Sequence, residues 1–459
     1  AQARTSVRSI RTRRREIEMS DSMLVSPGSE QTMGRLRGAY SSPIAPSLFS
    51  VVVFLIALVP LTVTPVVPTI DFYNHVARYY VLGHLDAVPA LRDNYSVAWA
   101  LLPNLGLDII ALPLFGILPP LIAAKAVLIL ILSVQFGGVL ALNAALNGRI
   151  GYVSVLLAAM LLNSYIFTWG FANFLLGSGL SLWALASWVL LRERRLWLAS
   201  AVGALLAIFI FLCHGLAFAL YGLVLSMLEL GRWLRMNPRR VAPLAGAAIA
   251  VALQAIAPAL LFLNTSTVAA GNNIGTVVAS HADMPRLMDR LVVVAQDQLT
   301  AILRVANSPW LILDIVSFAA IAGLLFLAVR RGVVRVNPVA IPALLLLGLL
   351  CVVTPPSLFG VGKISDRIPL VTALLLAAAL APASRTDRRG SSVLLTGMVA
   401  IFLVRTVANT ASYAPYDEDF ADFLTVAQRA PAHAVIGSAI PDALRQRNSG
   451  AMRCEMYLP

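Results

Sequence analysis

Between Ser47 and Asn409 the chain is a succession of apolar runs, near 47–70, 101–118, 121–146, 151–168, 171–191, 196–213, 216–230, 241–263, 309–329, 338–355, 368–383 and 391–409. A helix needs roughly 17 to 25 apolar residues to cross a hydrocarbon core about 30 Å thick. Twelve runs meet or approach that length, and no soluble fold has the polar surface to cover them. Of the 459 residues 59% are hydrophobic and 12% charged, against roughly 25% charged in an ordinary soluble domain. The expected fold class is therefore an all-α polytopic membrane protein.

The formal net charge is +13, which in a soluble protein would suggest a nucleic-acid partner. Here the arginines collect in short clusters between apolar runs, as cytoplasmic loops do under the positive-inside bias, and no nucleic-acid partner is expected. Arg149 and the clusters at 192–195, 232–240, 330–335 and 385–389 all fall inside if there are about eleven crossings, within a range of about ten to thirteen. The conflict lies at 101–146, where two crossings would put Arg149 outside; one of those two segments is then re-entrant or interfacial, or the bias is broken locally. The expected organisation is a basic, disordered cytoplasmic tail over 1–46, a transmembrane domain over 47–409 whose first span is a retained anchor, and a short external segment over 410–459. The outer loops at 71–100 and 264–308 carry much of the remaining polar content. Cys213, Cys351 and Cys454 are too scattered for a disulfide framework or a CxxC site.

The first span runs into Asp71-Phe-Tyr-Asn74-His75-Val-Ala-Arg78. A juxtamembrane helix there places Asp71, Asn74, His75 and Arg78 at i, i+3, i+4 and i+7, on one face. At the rim of a low-dielectric region the Asp71 carboxylate suits general-base work, with His75 or Arg78 modulating it. The competing reading is that Asp71 caps the helix and Arg78 pairs with it. Further on, Pro103-Asn104-Leu-Gly-Leu-Asp108 sets an amide and a carboxylate at the head of an apolar helix, where a carboxylate is either functional or a structural ion-pair partner.

Three more groups stand out on the same side. Trp169 and Asn173, in Asn163-Ser-Tyr-Ile-Phe-Thr-Trp-Gly-Phe-Ala-Asn173-Phe174, are either an interfacial belt or a sugar platform with an amide. His214 either packs or lines a cavity. Lys363 and Arg367, in Gly360-Val-Gly-Lys-Ile-Ser-Asp366-Arg367, either snorkel or hold an anion. An amphipathic stretch from Leu291 to Val305 reads as a helix on the membrane surface, and Lys125 and Arg405 are charges inside apolar runs.

The Asp71 and Asp108 neighbourhoods, on this topology, resemble bacterial membrane glycosyltransferases of the GT-C superfamily. The resemblance implies transfer, with inversion, of a sugar from a polyprenyl phosphate or pyrophosphate donor to a glycan, lipid or protein acceptor outside a bacterial inner membrane. The amino end is then cytoplasmic, the carboxyl end external, and membrane lipid surrounds the whole. Asp71 matches the family's loop carboxylate and would act on the acceptor hydroxyl. Arg367, then Lys363, would hold the donor phosphate, with Asn74, His75, Arg78, Asn104, Asp108, Trp169, Asn173 and His214 as further substrate contacts. His75 stands where many relatives have a second carboxylate, so metal ligation is open; no metal site and no cofactor beyond the lipid-linked donor are otherwise called for. A polysaccharide polymerase or ligase using Arg286, Arg290 and Arg304, and a transporter or flippase, are the alternatives.

Overall fold

The computed structural model describes residues 44–236, 241–263, 287–355, 357–358, 361–383, 387–429 and 431. By contacts the chain divides into Ala1–Phe49 and Ser50–Pro459, and the architecture below is that of the second unit. The disordered tail expected before residue 44, and Asn272, His281, Asp283 and Arg286, lie outside the described residues.

The protein is an all-α membrane protein. Its helices are α1 (Ile44–Ala57), α2 (Phe72–His84), α3 (Pro89–Asn94), α4 (Leu105–Ile117), α5 (Pro120–Asn147), α6 (Tyr152–Leu162), α7 (Tyr165–Thr168), α8 (Ala172–Leu191), α9 (Leu196–Cys213), α10 (Gly215–Met236), α11 (Ala242–Leu263), α12 (Leu287–Leu303) and α13 (Leu311–Arg330), then α14 (Ile341–Val353), α15 (Ile364–Ala379), α16 (Arg388–Tyr413) and α17 (Tyr416–Gln428). Strand β1 (Val334–Val336) pairs antiparallel with β4 (Leu380–Pro382), and β2 (Ser357–Leu358) with β3 (Val361–Gly362). Among the described residues seven helices are long and apolar enough to cross a membrane, and four shorter apolar helices, α4 and α6 among them, accompany them. The expected loop helices are present as α2 and α3, and the amphipathic stretch expected at the membrane surface is helical as part of α12.

The most extensive helix contact is that of α5 with α8. A Cβ on Gly138 would lie 2.7 Å from the Gly179 carbonyl oxygen, and one on Gly179 would lie 2.9 Å from the Gln135 amide nitrogen. Small residues at such a crossing let two backbones approach where lipid supplies no hydrophobic drive. The Trp183 indole adds a bond to the Val134 carbonyl at 3.0 Å. At the far end of α5, Asn143 donates to the carbonyls of Ala378 and Leu380 at 2.8 and 2.7 Å and accepts from the Gly151 amide at 2.9 Å, which ties the last turns of α5 and α15 to the start of α6. The β1–β4 ladder and Asn337, bonded to Leu146 O at 2.7 Å, close the same end. The arginines of 149, 192–195, 232–235, 330–335 and 388–389 converge there, since Arg192 is bidentate to Glu229 on α10 and Gly231 abuts Val339.

These contacts decide the course of 101–146. Helix α15 runs from Arg367, beside Phe174 at the start of α8, down to the Asn143 end, so α5 begins at the Phe174 end as well. The amino end of α4 is there too, because the Leu107 amide donates to Asn173 at 3.3 Å. Both ends of the 13-residue α4 thus lie on one side.

Substituting Gly138 by Leu should lower stability by about 1–3 kcal/mol through overpacking, read as a fall in thermal midpoint in detergent. An unchanged midpoint would show that the α5–α8 contact is looser than described.

Candidate functional site

Asp71 is placed by backbone. Ile70 and Asp71 donate their amides to the carbonyls of Thr168 and Trp169, both at 2.9 Å, so the chain entering α2 is stitched to the α7–α8 turn. Gly170, at φ +77, makes that approach possible: a Cβ there would sit 2.4 Å from the Phe72 nitrogen. Asp71 occupies the N-cap position of α2 without a side-chain cap bond, and Arg78 pairs elsewhere, so neither half of the purely structural reading of Asp71 describes this helix. Burial raises the Asp71 pKa above the ordinary carboxylate value, with the charges of His75 and Arg367 pulling the other way. His75, stacked near Tyr79, is pushed down, first by burial, against the Asp71 charge. Asn74 is exposed.

Arg367 enters from α15, about three hundred residues later in the chain, and is 6% exposed. Its guanidinium carbon lies 4.3 Å from the centroid of Phe171 and 5.4 Å from that of Phe174, its Nη1 lies 3.0 Å from His214 Nε2, and its Nε has no partner among the described residues. His214, in the turn between α9 and α10, is pushed down to about 3 by burial and then by the Arg367 charge. The Leu216 amide also donates to its Nδ1 at 3.1 Å. A neutral imidazole has a single acceptor lone pair, so the ring cannot satisfy both donors and the guanidinium keeps spare donor capacity.

Lys363, left-handed at φ 59, lies 4.8 Å from the Trp169 centroid and 3.5 Å from Asp366. The Trp169 ring also stacks near Phe171. Lys363 thus sits over the ring on which a sugar was expected to stack. Asn173 is buried; its oxygen anchors α4, while its Nδ2 and Trp169 Nε1 have no partner among the described residues.

The second half of the predicted set lies further along α2. Arg78 Nη2 donates to Asp108 Oδ2 at 2.5 Å, and Asn104, at φ 74, precedes α4. Arg78 and Asn104 line a cavity of about 190 Å³ with Trp99 and Pro103. The structure thus brings Asp71, His75, Trp169, Asn173, His214, Lys363 and Arg367 into one neighbourhood and Arg78, Asn104 and Asp108 into a second.

Sequence reasoning did not select Phe171, Phe174, Gly170 or Asp366, nor a nearby buried knot. Arg405 donates to Asp314 at 2.9 Å, to the Ala306 carbonyl at 2.7 Å and to Ser317. Arg304, 3.9 Å from Asp314, lies over Tyr165 at 4.8 Å. Asn307 links this knot to the Asn163 carbonyl and the Thr168 hydroxyl. The only signals were Arg405 inside an apolar run and the Phe171/Phe174 spacing. Among the described residues no three His, Cys, Asp or Glu side chains gather as metal ligands would. No protein-family model matches the chain, and no curated protein matches it.

Substituting Gly170 by Ala should be destabilising by more than about 1 kcal/mol, since the residue is left-handed and in backbone contact. A lowered thermal midpoint together with changed Trp169 emission is expected; an unaltered protein would detach Asp71 from the Trp169 turn.

Proposed function

We propose that the chain is a GT-C-type membrane glycosyltransferase with about eleven crossings, moving a sugar from a polyprenyl-phosphate-type donor to an acceptor on the outer side of a bacterial inner membrane. The observation that carries this reading is a buried guanidinium whose Nε has no partner among the described residues, held between two aromatic rings and close enough to a partly desolvated carboxylate to bear on its ionisation. Arginine is the residue for a phosphate in such a place, being planar and always charged. An acceptor O–H would lose its proton to Asp71 as its oxygen bonds the anomeric carbon. The bond from that carbon to the phosphate oxygen breaks, and the phosphate leaves with the electron pair toward Arg367, whose fixed charge meets the developing anion without reorganisation.

The crossing count is supported by α4, whose two ends share a side; α1, α5, α6, α8 to α11 and α13 to α16 then cross, which puts the convergent arginines inside and the amino end cytoplasmic. Of the charges the alternatives would use, Arg304 is engaged with Tyr165 and Asp314 and Arg405 with Asp314, Ser317 and a carbonyl, which favours the transferase reading at these two positions.

Asp71→Asn should reduce transfer by about 100-fold or more at unchanged expression; full activity would remove the proposal. Because burial raises the Asp71 pKa, the base form is reached at higher pH, so the acid limb of kcat/KM should lie above that of an ordinary carboxylate. Arg367→Gln removes a charge that lowers this value and should move the limb further up, beside a fall in kcat. A limb that stays put, or moves down, would separate Asp71 from Arg367.

A further inference from the structure

The second neighbourhood has the character of a lipid seat. Arg78 spends Nη2 on Asp108, yet its side chain is 56% exposed and lines the cavity of about 190 Å³, so most of its five donors remain available. Asp108 is buried and fixes the guanidinium from behind. Val97, Ala98, Trp99 and Ala100 line the cavity, in a stretch without helix or strand that is exposed throughout 95–101; Tyr95, Val97, Trp99 and Leu101 are 55%, 38%, 59% and 58% exposed. Ile109 and Ile117 on α4 are exposed as well. Aromatic and aliphatic side chains left uncovered beside an apolar helix that does not cross are suited to the outer leaflet, where Trp and Tyr settle at headgroup level.

The depth agrees. Relative to the Gln135–Gly179 contact, α5 begins about eight residues, ~12 Å, further out than α8. Helix α4 and its rim therefore accompany α5 through a level at which Asp71 and Arg367 are already recessed. We infer that the Arg78 cavity seats the anionic phosphodiester headgroup of an outer-leaflet lipid, with its chains along Val97–Leu101 and Ile109. This rests on the proposed transferase only in its last step: Arg78 is seven residues, ~10 Å, along α2 from Asp71, so a lipid held there presents its headgroup toward the base, and the acceptor is lipid-borne.

The test uses the intact protein in nanodiscs without a sugar donor, so its outcome is independent of whether transfer occurs. The fluorescence share of Trp99, obtained by difference from Trp99→Phe, is measured with brominated phosphatidylglycerol and with brominated phosphatidylcholine at equal mole fraction. About twofold or stronger quenching by the anionic lipid is expected, abolished by Arg78→Gln and at least partly kept by Arg78→Lys. Equal quenching by the two lipids, no quenching assignable to Trp99, or complete loss of preference in a folded Arg78→Lys would overturn the inference. Loss of the preference on adding millimolar inorganic phosphate would assign the seat to a free anion and overturn it as well. Should Arg78→Gln fail to fold, the wild-type and Arg78→Lys comparisons decide.

Discussion

Burying the Arg367 guanidinium among apolar helices is the constraint to which the site answers. Removing such a charge from water costs several kcal/mol even after relaxation. Two aromatic faces at 4.3 and 5.4 Å return about 2 kcal/mol each when desolvated, and His214 contributes a polar contact at one edge. The carboxylates of Asp71 and Asp366 complete the compensation through their charge. Each of these partners is then fixed in turn: Phe171 and Phe174 by the start of α8, His214 by the sharp passage from α9 to α10, and Asp71 by the Gly170 turn. A cation that must be held from several sides organises residues drawn from four separate stretches of sequence.

A second constraint is length. Helix α5, at 28 residues, spans ~42 Å, well beyond a hydrocarbon core of about 30 Å. Its excess at the Pro120 end is matched by α4, apolar and packed beside it. The residues of the proposed site sit closer to the middle of α5, at the level of the first turn of α8. That depth is why burial, more than neighbouring charge, governs Asp71 and His75.

How much of this was legible depended on the range of the interaction. The helix after Ile70 follows from local spacing, and its polar residues at 71, 75 and 78 do interact electrically. The sorting of arginines to one end was also legible, because lipid imposes it residue by residue. The partner of Arg78 was not: Asp108 is thirty residues away, and spacing alone offered Asp71 first. Hydropathy likewise could not choose between the two helices of 101–146, since an interfacial helix and a crossing one bury the same kind of side chain. Arg367 with Phe171, Phe174 and His214 is a tertiary meeting, and a pattern of single residues carries no trace of it.

Charge balance ties the two halves of the proposed chemistry together. Around Asp71 stand the cations Arg367 and Lys363 and the carboxylate Asp366, with Arg78 bearing on His75 and Asp297 on Asp366, and both imidazoles are pushed toward neutrality by burial. A region of low dielectric tolerates movement of charge far better than a change in its total. In the proposed transfer a phosphodiester becomes a phosphate monoester and gains one negative charge, while Asp71 takes a proton and loses one. The sum over the cavity is unchanged, and the charge has moved from the α2 side toward Arg367. A carboxylate whose burial makes the neutral form easier to reach, set against an arginine that cannot lose its charge, favours that direction. Burial raises the Asp71 pKa, and in the proposed transfer that helps the carboxylate keep the proton it takes: an unburied, more strongly ionised carboxylate at the same position would hold it less firmly as the phosphate departs.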